Sequence, residues 1–340
     1  MCGPEEENTT SPGPAVVPDD EVDTDGDSSY ETDAASSTQS LSASILDYRR
    51  ENGRTYHRYK DGKYAMPNDD IENERLDLQH HLFLYTLENK LGLAPPNDAD
   101  AKVKRVLDLG TGTGIWALDY ADEHPEAEVI GIDLSPTQPE FVPPNVQFIV
   151  DDIDEEWSYS KPFDYIHSRM MNISVGNWKD YLRQIYDNLE PGGFVEIQEV
   201  DIAMKSDDDT LTPKNQLAIW NKLLNSASEK MGRAMVTHKH IKDLMIEVGF
   251  TDIVDTYFKW PSNPWPKDKK HKLLGQWNNI NTGYALEGAA MAPLTRIHGW
   301  SREEVTVLVA GARAELNNPA IHAYWPIVSI YAQRPSETSE

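Results

Sequence analysis

Cysteine is almost absent from this chain, which has one, Cys2, in 340 residues. A lone thiol excludes intramolecular disulfides and cysteine-based metal sites, and it favours a reducing compartment. The chain also lacks an apolar run of the roughly 18 residues that would indicate a transmembrane helix. Its amino end lacks the basic and apolar regions of a signal peptide, and no spacing of His, Asp and Glu is typical of a metal site. These absences predict a soluble, cytoplasmic protein without a metal or a membrane partner.

Basic residues are missing from residues 1–40, which contain eleven Asp and Glu and no Lys or Arg. The segment also has few large apolar side chains, so it cannot bury enough surface to offset its ordering entropy. We predict a disordered acidic tail over residues 1–43, one folded domain over 44–335 and a disordered end over 336–340. Of the net charge of −26, the first 40 residues contribute −11, which leaves −15 on the rest. A surface this acidic argues against direct binding to nucleic acid.

The most informative segment is an apolar run, Val106–Leu109, that contains Asp108 and opens into alternating glycines at Gly110, Gly112 and Gly114. This pattern is typical of a buried parallel strand that delivers a nucleotide-like ligand to a helix N-terminus. The third glycine comes one residue too early for the dinucleotide fingerprint, and no Gly-Lys-Ser/Thr follows, which excludes a P-loop. Asp108 suits a ligand with an ammonium group, such as S-adenosylmethionine. The loop, with Thr111 inside it, resembles motif I of the class I methyltransferases.

Two further acids follow strands at the expected distances. Asp133, followed by Leu134, ends a second apolar run and can accept hydrogen bonds from both ribose hydroxyls of a nucleoside. A third run ends in Asp151, Asp152 and Ile153; in the class I pattern, Asp152 meets the adenine amino group, with Asp151 as its neighbour. A nicotinamide cofactor also needs an acid after the second strand, but the glycine spacing and Asp108 count against it. Together the three signals predict a site for S-adenosylmethionine.

The alternation of strands and helices predicts an α/β fold, the doubly wound seven-stranded sheet of class I methyltransferases, with the last strand antiparallel. Helices are predicted over 71–91, 178–189, 212–231, 238–249 and 302–316, and strands over 106–109, 127–133, 146–153, 163–167, 194–200, 253–260 and 325–333. Gln79 and His80 lie on one face of the first helix, and we expect them to contact the cofactor. Three segments, about 44–67, 204–236 and 261–324, exceed the minimal fold and are expected to form a lid over the carboxyl ends of the strands.

Several motifs outside the glycine loop carry a family resemblance. The chain resembles the fungal LaeA-like methyltransferases over about residues 45–335, in the segments 51–57, 68–70, 75–77, 108–116, 165–167, 263–265 and 321–324. The resemblance implies a class I fold, S-adenosylmethionine as cofactor and a link to fungal secondary metabolism. The namesake is a nuclear regulator associated with velvet-type proteins, whereas other members resemble enzymes that methylate small molecules. This chain differs from the namesake at Thr111, and its residues 151–152 and 168–171 are nearer to those of a small-molecule enzyme.

Methyl transfer needs an aligned acceptor and, for an oxygen or nitrogen nucleophile, sometimes a base. His167, at the end of the fourth strand, is the first candidate for that base, although the preferred interpretation is a hydrogen-bonded residue that only shapes the crevice. Tyr56, from the first lid segment, is the second candidate, and Ser168 joins the expected cofactor contacts. The leading hypothesis is an enzyme that methylates a small-molecule acceptor in the cytoplasm. The alternatives are a nuclear regulator with a velvet-type protein partner, and a binding module without turnover.

Overall fold

The computed structural model describes residues 47–201 and 203–336. The predicted acidic tail, residues 1–43, lies outside the described residues, as does the predicted end apart from Ser336. Within the described part of the chain, no helix combines the length and the apolar character needed to cross a bilayer. The same residues contain no group of three or more His, Cys, Asp or Glu placed to hold a metal ion.

The core of the fold is a seven-stranded sheet, which confirms the predicted fold class. Its strands are β3 (Arg105–Leu109), β4 (Glu128–Asp133), β5 (Val146–Val150), β6 (Phe163–Arg169), β7 (Leu189–Val200), β8 (Thr251–Pro261) and β9 (Tyr324–Gln333). They lie in the order β5-β4-β3-β6-β7-β9-β8. All pairings from β5 to β7 are parallel, and β9 runs antiparallel between β7 and β8. The carboxyl ends of β3 to β7 therefore meet at one edge, where ligands bind in such sheets.

Seven helices surround the sheet in the described residues: α1 (Asp70–Thr86), α2 (Ile115–Glu123), α3 (Trp178–Asn188), α4 (Gln216–Lys230), α5 (His238–Val248), α6 (Lys269–His298) and α7 (Arg302–Leu316). A short hairpin of β1 (Arg49–Glu51) and β2 (Arg54–Tyr56) precedes them. One apolar cluster packs α3 and α5 against one face of the sheet, and another packs α2 against the opposite face. A third cluster joins α1, α4, α6 and α7.

Two predicted helix boundaries are wrong. The first helix ends at Thr86 rather than Leu91, because Glu88 and Asn89 adopt left-handed backbone angles, with φ of 60° and 63°. The helix predicted from residue 212 begins at Gln216 instead. There the Asn215 side chain accepts hydrogen bonds from the amide and hydroxyl of Thr212, at 2.8 Å each, and holds the preceding residues in a turn. Such local side-chain bonds compete with helix formation.

The second and third predicted lid segments contain the helices α4, α6 and α7. The 30-residue α6 was not predicted as one helix; it packs against α1, α4, α7 and β8. The first segment is connected to α1 and α6 by two ion pairs. Arg54 donates two hydrogen bonds to Asp69, at 2.5 and 2.7 Å, and Arg296 of α6 donates two to Glu51, at 3.0 and 2.7 Å.

Candidate functional site

A cavity of about 320 Å³ opens where the carboxyl ends of the strands meet the helices of the lid segments. One end, here called the glycine-loop end, is lined by residues 110–113, 133–135 and 151–153. The other, here called the far end, is lined mainly by α4, α6 and the ends of β8 and β9, with Trp220, Leu224, Met235, Trp260, Ala285 and Trp325 in its wall. Most of the predicted cofactor residues and parts of all three predicted lid segments therefore border one continuous space.

The glycine loop has the backbone that the motif predicts. Gly110, Gly112 and Gly114 have φ of 69°, 59° and 82°, a region that favours glycine. A Cβ on Gly110 would lie 2.3 Å from Met171 Sδ, and one on Gly114 would lie 2.4 Å from Phe148 Cζ. A side chain at either position would strain the backbone and would require Met171 or Phe148 to move. The bare backbone of residues 110–113 forms a cradle along the cavity wall that an elongated nucleoside ligand can approach closely.

Asp133 ends β4 with its carboxylate oriented by two backbone amides. Its Oδ2 accepts the amide hydrogen of Gly112, and its Oδ1 accepts that of Ser135, each at 2.9 Å. Burial raises the pKa of Asp133 to about 6. Each carboxylate oxygen has further acceptor capacity, so this group has the chemistry to bind paired ribose hydroxyls. Leu134 lies beside it in the cavity wall.

Asp108 also borders the cavity, but protein groups already engage both of its oxygens. Oδ1 lies 2.7 Å from His167 Nδ1, and Oδ2 accepts the Thr111 hydroxyl at 2.6 Å. The His167 ring stacks on Trp116 with centroids 3.7 Å apart. Burial lowers the pKa of His167, which favours the neutral imidazole with its proton on Nδ1. His167 thus fixes the Asp108 carboxylate, and its own Nε2 has no hydrogen-bond partner among the described residues.

Asp152 lies at the end of β5 and is bound to the first lid segment. Lys63 forms an ion pair with Asp152 and a second with Asp154, at 3.1 Å. The Asp152 side chain is 2% exposed and that of Lys63 is 22% exposed. Asp151 orients this turn by accepting the Asp152 amide hydrogen at 2.8 Å, and both Asp151 and Ile153 border the cavity. The acid predicted to meet adenine is therefore held by a lysine from the lid.

Gln79 and His80 of α1 reach the cavity wall, as the helical spacing predicts. His80 is held between two charged groups: its Nε2 lies 2.8 Å from Asp119 Oδ2, and its Nδ1 lies 3.0 Å from a guanidinium nitrogen of Arg169. Burial lowers the pKa of both His80 and Arg169, the latter to about 10. Arg169, the last residue of β6, also borders the cavity and was not predicted.

Three predicted residues do not line the cavity. Ser168 is fully buried and accepts the Tyr181 hydroxyl at 2.9 Å. Gly114 caps α2 and packs against Phe148. Tyr56 is 1% exposed beneath the guanidinium of Arg296, and burial raises its pKa, which opposes a role as a base. For these three, direct contact with a ligand stays a prediction that their positions do not support.

Glu199, near the end of β7, is a cavity residue that the sequence reasoning missed. It is 2% exposed, and its Oε1 accepts the Val200 amide hydrogen at 2.9 Å. Its Oε2 accepts no well-formed hydrogen bond from the described residues, although the backbone amides of Met171 and Asn172 lie near the carboxyl. Burial raises the pKa of this carboxyl to about 8. The signal was available, because the rule that selects Asp133, an acid at the carboxyl end of a buried strand, also selects Glu199.

Known proteins place the chain in a family. A family model described as a methyltransferase domain matches residues 78–254. The chain is 42% identical over 323 residues to methyltransferase pytC of Aspergillus terreus, which covers 94% of this chain and 98% of that protein. It is 38% identical to the secondary metabolism regulator LAE1 of Cochliobolus heterostrophus, covering 84% of this chain and 95% of that protein. It is 35% identical to protein-methionine methyltransferase laeA of Emericella nidulans, covering 84% and 76%.

These relatives confirm the resemblance predicted from the motifs, and the cradle of bare backbone beside Asp133 fits the cofactor of that family. The chain belongs to the fungal LaeA-like class I methyltransferases and is an S-adenosylmethionine-dependent methyltransferase.

Proposed function

We propose that this enzyme methylates a small molecule in fungal secondary metabolism. The observation that carries the proposal is the single cavity that joins the glycine loop to an apolar far end between α4 and α6. Small-molecule sites are concave and largely apolar, with few polar groups that fix orientation. The pytC relative, which carries the name methyltransferase and matches nearly its whole length, supports the same proposal.

We assign cofactor binding to the glycine-loop end. When bound there, S-adenosylmethionine supplies an electrophilic methyl group on a sulfonium. The backbone of residues 110–113 would lie against it, Asp133 would accept the ribose hydroxyls, and Asp152 would face the adenine. Leu134, Asp151, Ile153 and Gln79 complete this wall. Its geometry supports positioning as the main contribution of the protein, because alignment alone can lower such a barrier by about 7–11 kcal/mol.

The predicted bases stay predictions. His167 borders the cavity, but its Nδ1 is bound to Asp108 and its ring is stacked on Trp116. These contacts favour a positioning role for His167, in which it holds Asp108 and the strand end in register.

A second candidate function follows from the names of other relatives. LAE1 and laeA proteins that share 35–38% identity with this chain are named secondary metabolism regulators. Under this alternative the chain works in the nucleus with a velvet-type protein partner and acts on a protein acceptor. Under the leading proposal it works in the cytoplasm on a free metabolite.

The test is to incubate the full-length chain with methyl-labelled S-adenosylmethionine and a small-molecule extract of the organism that carries the gene. We expect label in a compound that passes a size filter, with the Asp133→Ala variant as the inactive control. Label retained only on protein would overturn the small-molecule proposal and favour the alternative.

A further inference from the structure

We propose that Glu199 binds the methyl acceptor, and that the acceptor is a flat, largely apolar molecule with one hydroxyl or amine that donates a hydrogen bond to this carboxyl. The inference rests on the proposed function, because it assigns the far end of the cavity to a small molecule. It goes beyond that function by naming the residue that selects the acceptor and the chemistry that it selects.

Two of the three tryptophans at the far end use their indole N–H groups in hydrogen bonds to the protein. The indole N–H of Trp220 donates to the Leu286 carbonyl at 2.9 Å, and that of Trp260 donates to the Thr86 hydroxyl at 2.8 Å. Both indole N–H groups are thus already bound to protein acceptors. The indoles leave carbon surface to line the space, together with Leu224, Met235 and Ala285. Such a surface suits a planar apolar ligand.

The amides of α6 that border the far end are also engaged with protein partners. Asn278 donates to the Pro261 carbonyl at 3.0 Å, and its oxygen lies 3.3 Å from both the Asn281 amide and the Thr282 hydroxyl. The Asn281 oxygen in turn accepts from Arg75 at 2.8 Å. These groups form a network that orients α6 against β8 and α1. They are therefore poor candidates for selecting a ligand.

Glu199 differs from these groups because one of its oxygens is buried and accepts no well-formed hydrogen bond from the described residues, although the backbone amides of Met171 and Asn172 lie near the carboxyl. Leaving a buried polar atom unsatisfied is costly, so a ligand that brings a donor gains more than an ordinary hydrogen bond. The pKa of this carboxyl, about 8, also lies in the range that suits proton exchange near neutral pH. Where the acceptor must lose its O–H or N–H proton, Glu199 takes it in the ionised form, whose population rises as the pH approaches and passes about 8.

The experiment uses two flat probes that differ in their donor, 2-naphthol and 2-methoxynaphthalene. Binding of each to the full-length protein is measured by calorimetry with S-adenosylhomocysteine at saturation. For the wild type we expect 2-naphthol to bind about tenfold more tightly than the methoxy compound, since the hydrogen bond goes to an ionisable buried group. In Glu199→Met the ratio should fall to about one, and in Glu199→Gln, which keeps an acceptor oxygen, it should be intermediate.

The matched controls are Glu190→Met and Glu190→Gln, which make the same changes at an exposed position of the same strand. They should keep the wild-type ratio. If Glu199→Met does not fold, the probe ratio of the nearly isosteric Glu199→Gln variant decides the test. Equal ratios in wild type and Glu199 variants would overturn the inference, as would the failure of both probes to bind the wild type.

Two further outcomes separate this inference from its premises. A Glu199→Gln variant that loses affinity for S-adenosylhomocysteine while keeping the probe ratio would assign the carboxyl to the cofactor and overturn the inference. If a labelled metabolite forms but the ratio does not depend on Glu199, this inference fails and the proposed function stands. If the ratio depends on Glu199 but only protein is labelled, the proposed function fails.

Discussion

The two ends of the cavity are built in opposite ways. At the glycine-loop end the protein itself orients the carboxylates: backbone amides bind Asp133, His167 and Thr111 bind Asp108, and Lys63 binds Asp152. At the far end the tryptophans present carbon surface, and Glu199, which borders the same cavity from β7, has one carboxyl oxygen that accepts no well-formed hydrogen bond from the described residues. The difference indicates that the first end is organised before its ligand arrives, whereas the second depends on its ligand to complete it. Preorganisation of that kind suits a constant cofactor.

The largest effect at the glycine-loop end is expected from Asp133→Ala, which should weaken cofactor binding. The change removes the acceptor for the predicted ribose hydroxyls and also frees the Gly112 amide. Two hydrogen bonds to a charged group, at about 1.5–3 kcal/mol each, correspond to a loss of cofactor affinity of about 100-fold or more. Calorimetric titration with S-adenosylhomocysteine measures it, and thermal melting should show that the variant folds. Asp122→Ala, at an exposed site on α2, is the control; an unchanged affinity in Asp133→Ala would remove this acid from the site.

Lys63→Met tests whether the ion pair between the first lid segment and Asp152 holds the cofactor. The change removes the charge and keeps an aliphatic side chain. Lys60→Met is the control, since Lys60 pairs with Glu155 on the exposed surface, where an ion pair contributes little. We expect Lys63→Met to speed cofactor release by about tenfold, because a largely buried, charge-assisted contact is lost. Stopped-flow displacement of S-adenosylhomocysteine measures the rate. Slower release in Lys63→Met would mean instead that the lysine competes with the cofactor for Asp152.

The pH dependence of stability tests the far end without any ligand. The pKa of Glu199 is raised from its ordinary 4.5 to about 8 in the folded chain, so the folded state holds a proton that the unfolded state has lost between these values. Its contribution to stability therefore falls as the pH rises from about 4.5 to about 8. The raised pKa of Asp133 also makes the stability fall as the pH rises, but only up to about pH 6. It is present in both proteins, so a comparison of wild type with Glu199→Gln isolates Glu199.

We expect the melting temperature of Glu199→Gln, relative to wild type, to rise between pH 5 and pH 8.5 in differential scanning calorimetry. Glu190→Gln, on the exposed part of β7, should show a constant difference over the same range. A melting-temperature difference for Glu199→Gln that does not change with pH would mean that the carboxyl is not desolvated. That result would contradict the contrast drawn between the two ends.

The smallest effect is expected from removing residues 1–43. The composition of this segment predicts a disordered tail, so the affinity for S-adenosylhomocysteine should stay within about twofold of the full chain. Calorimetric titration of both proteins gives the comparison. A large loss would show that the acidic segment takes part in closing the cavity, and the contrast would then have to include it.

Sequence reasoning found the glycine-loop end because its residues follow strands at fixed distances. A short apolar run just before each residue identifies Asp108, the three glycines, Asp133 and Asp152. Because the strands are parallel, their carboxyl ends meet at one edge of the sheet, so no long-range contact has to be predicted. It did not predict α6 as one helix. That helix packs against neighbours on several sides, so its apolar residues do not follow the single stripe by which a helix is recognised.

The sequence by itself determined the class I sheet, the glycine loop and the acids at the strand ends, because these depend on short-range patterns. Only the tertiary structure decided which of the polar groups in the cavity wall are bound to other protein groups and which can bind a ligand. It placed Lys63 against Asp152 and His167 against Asp108, and it brought the indoles of Trp220 and Trp260 and the carboxyl of Glu199 into the wall of one cavity. These contacts join residues far apart in the chain. Burial, which raises the pKa of Glu199, is likewise a property of the packed molecule and not of any local run of residues.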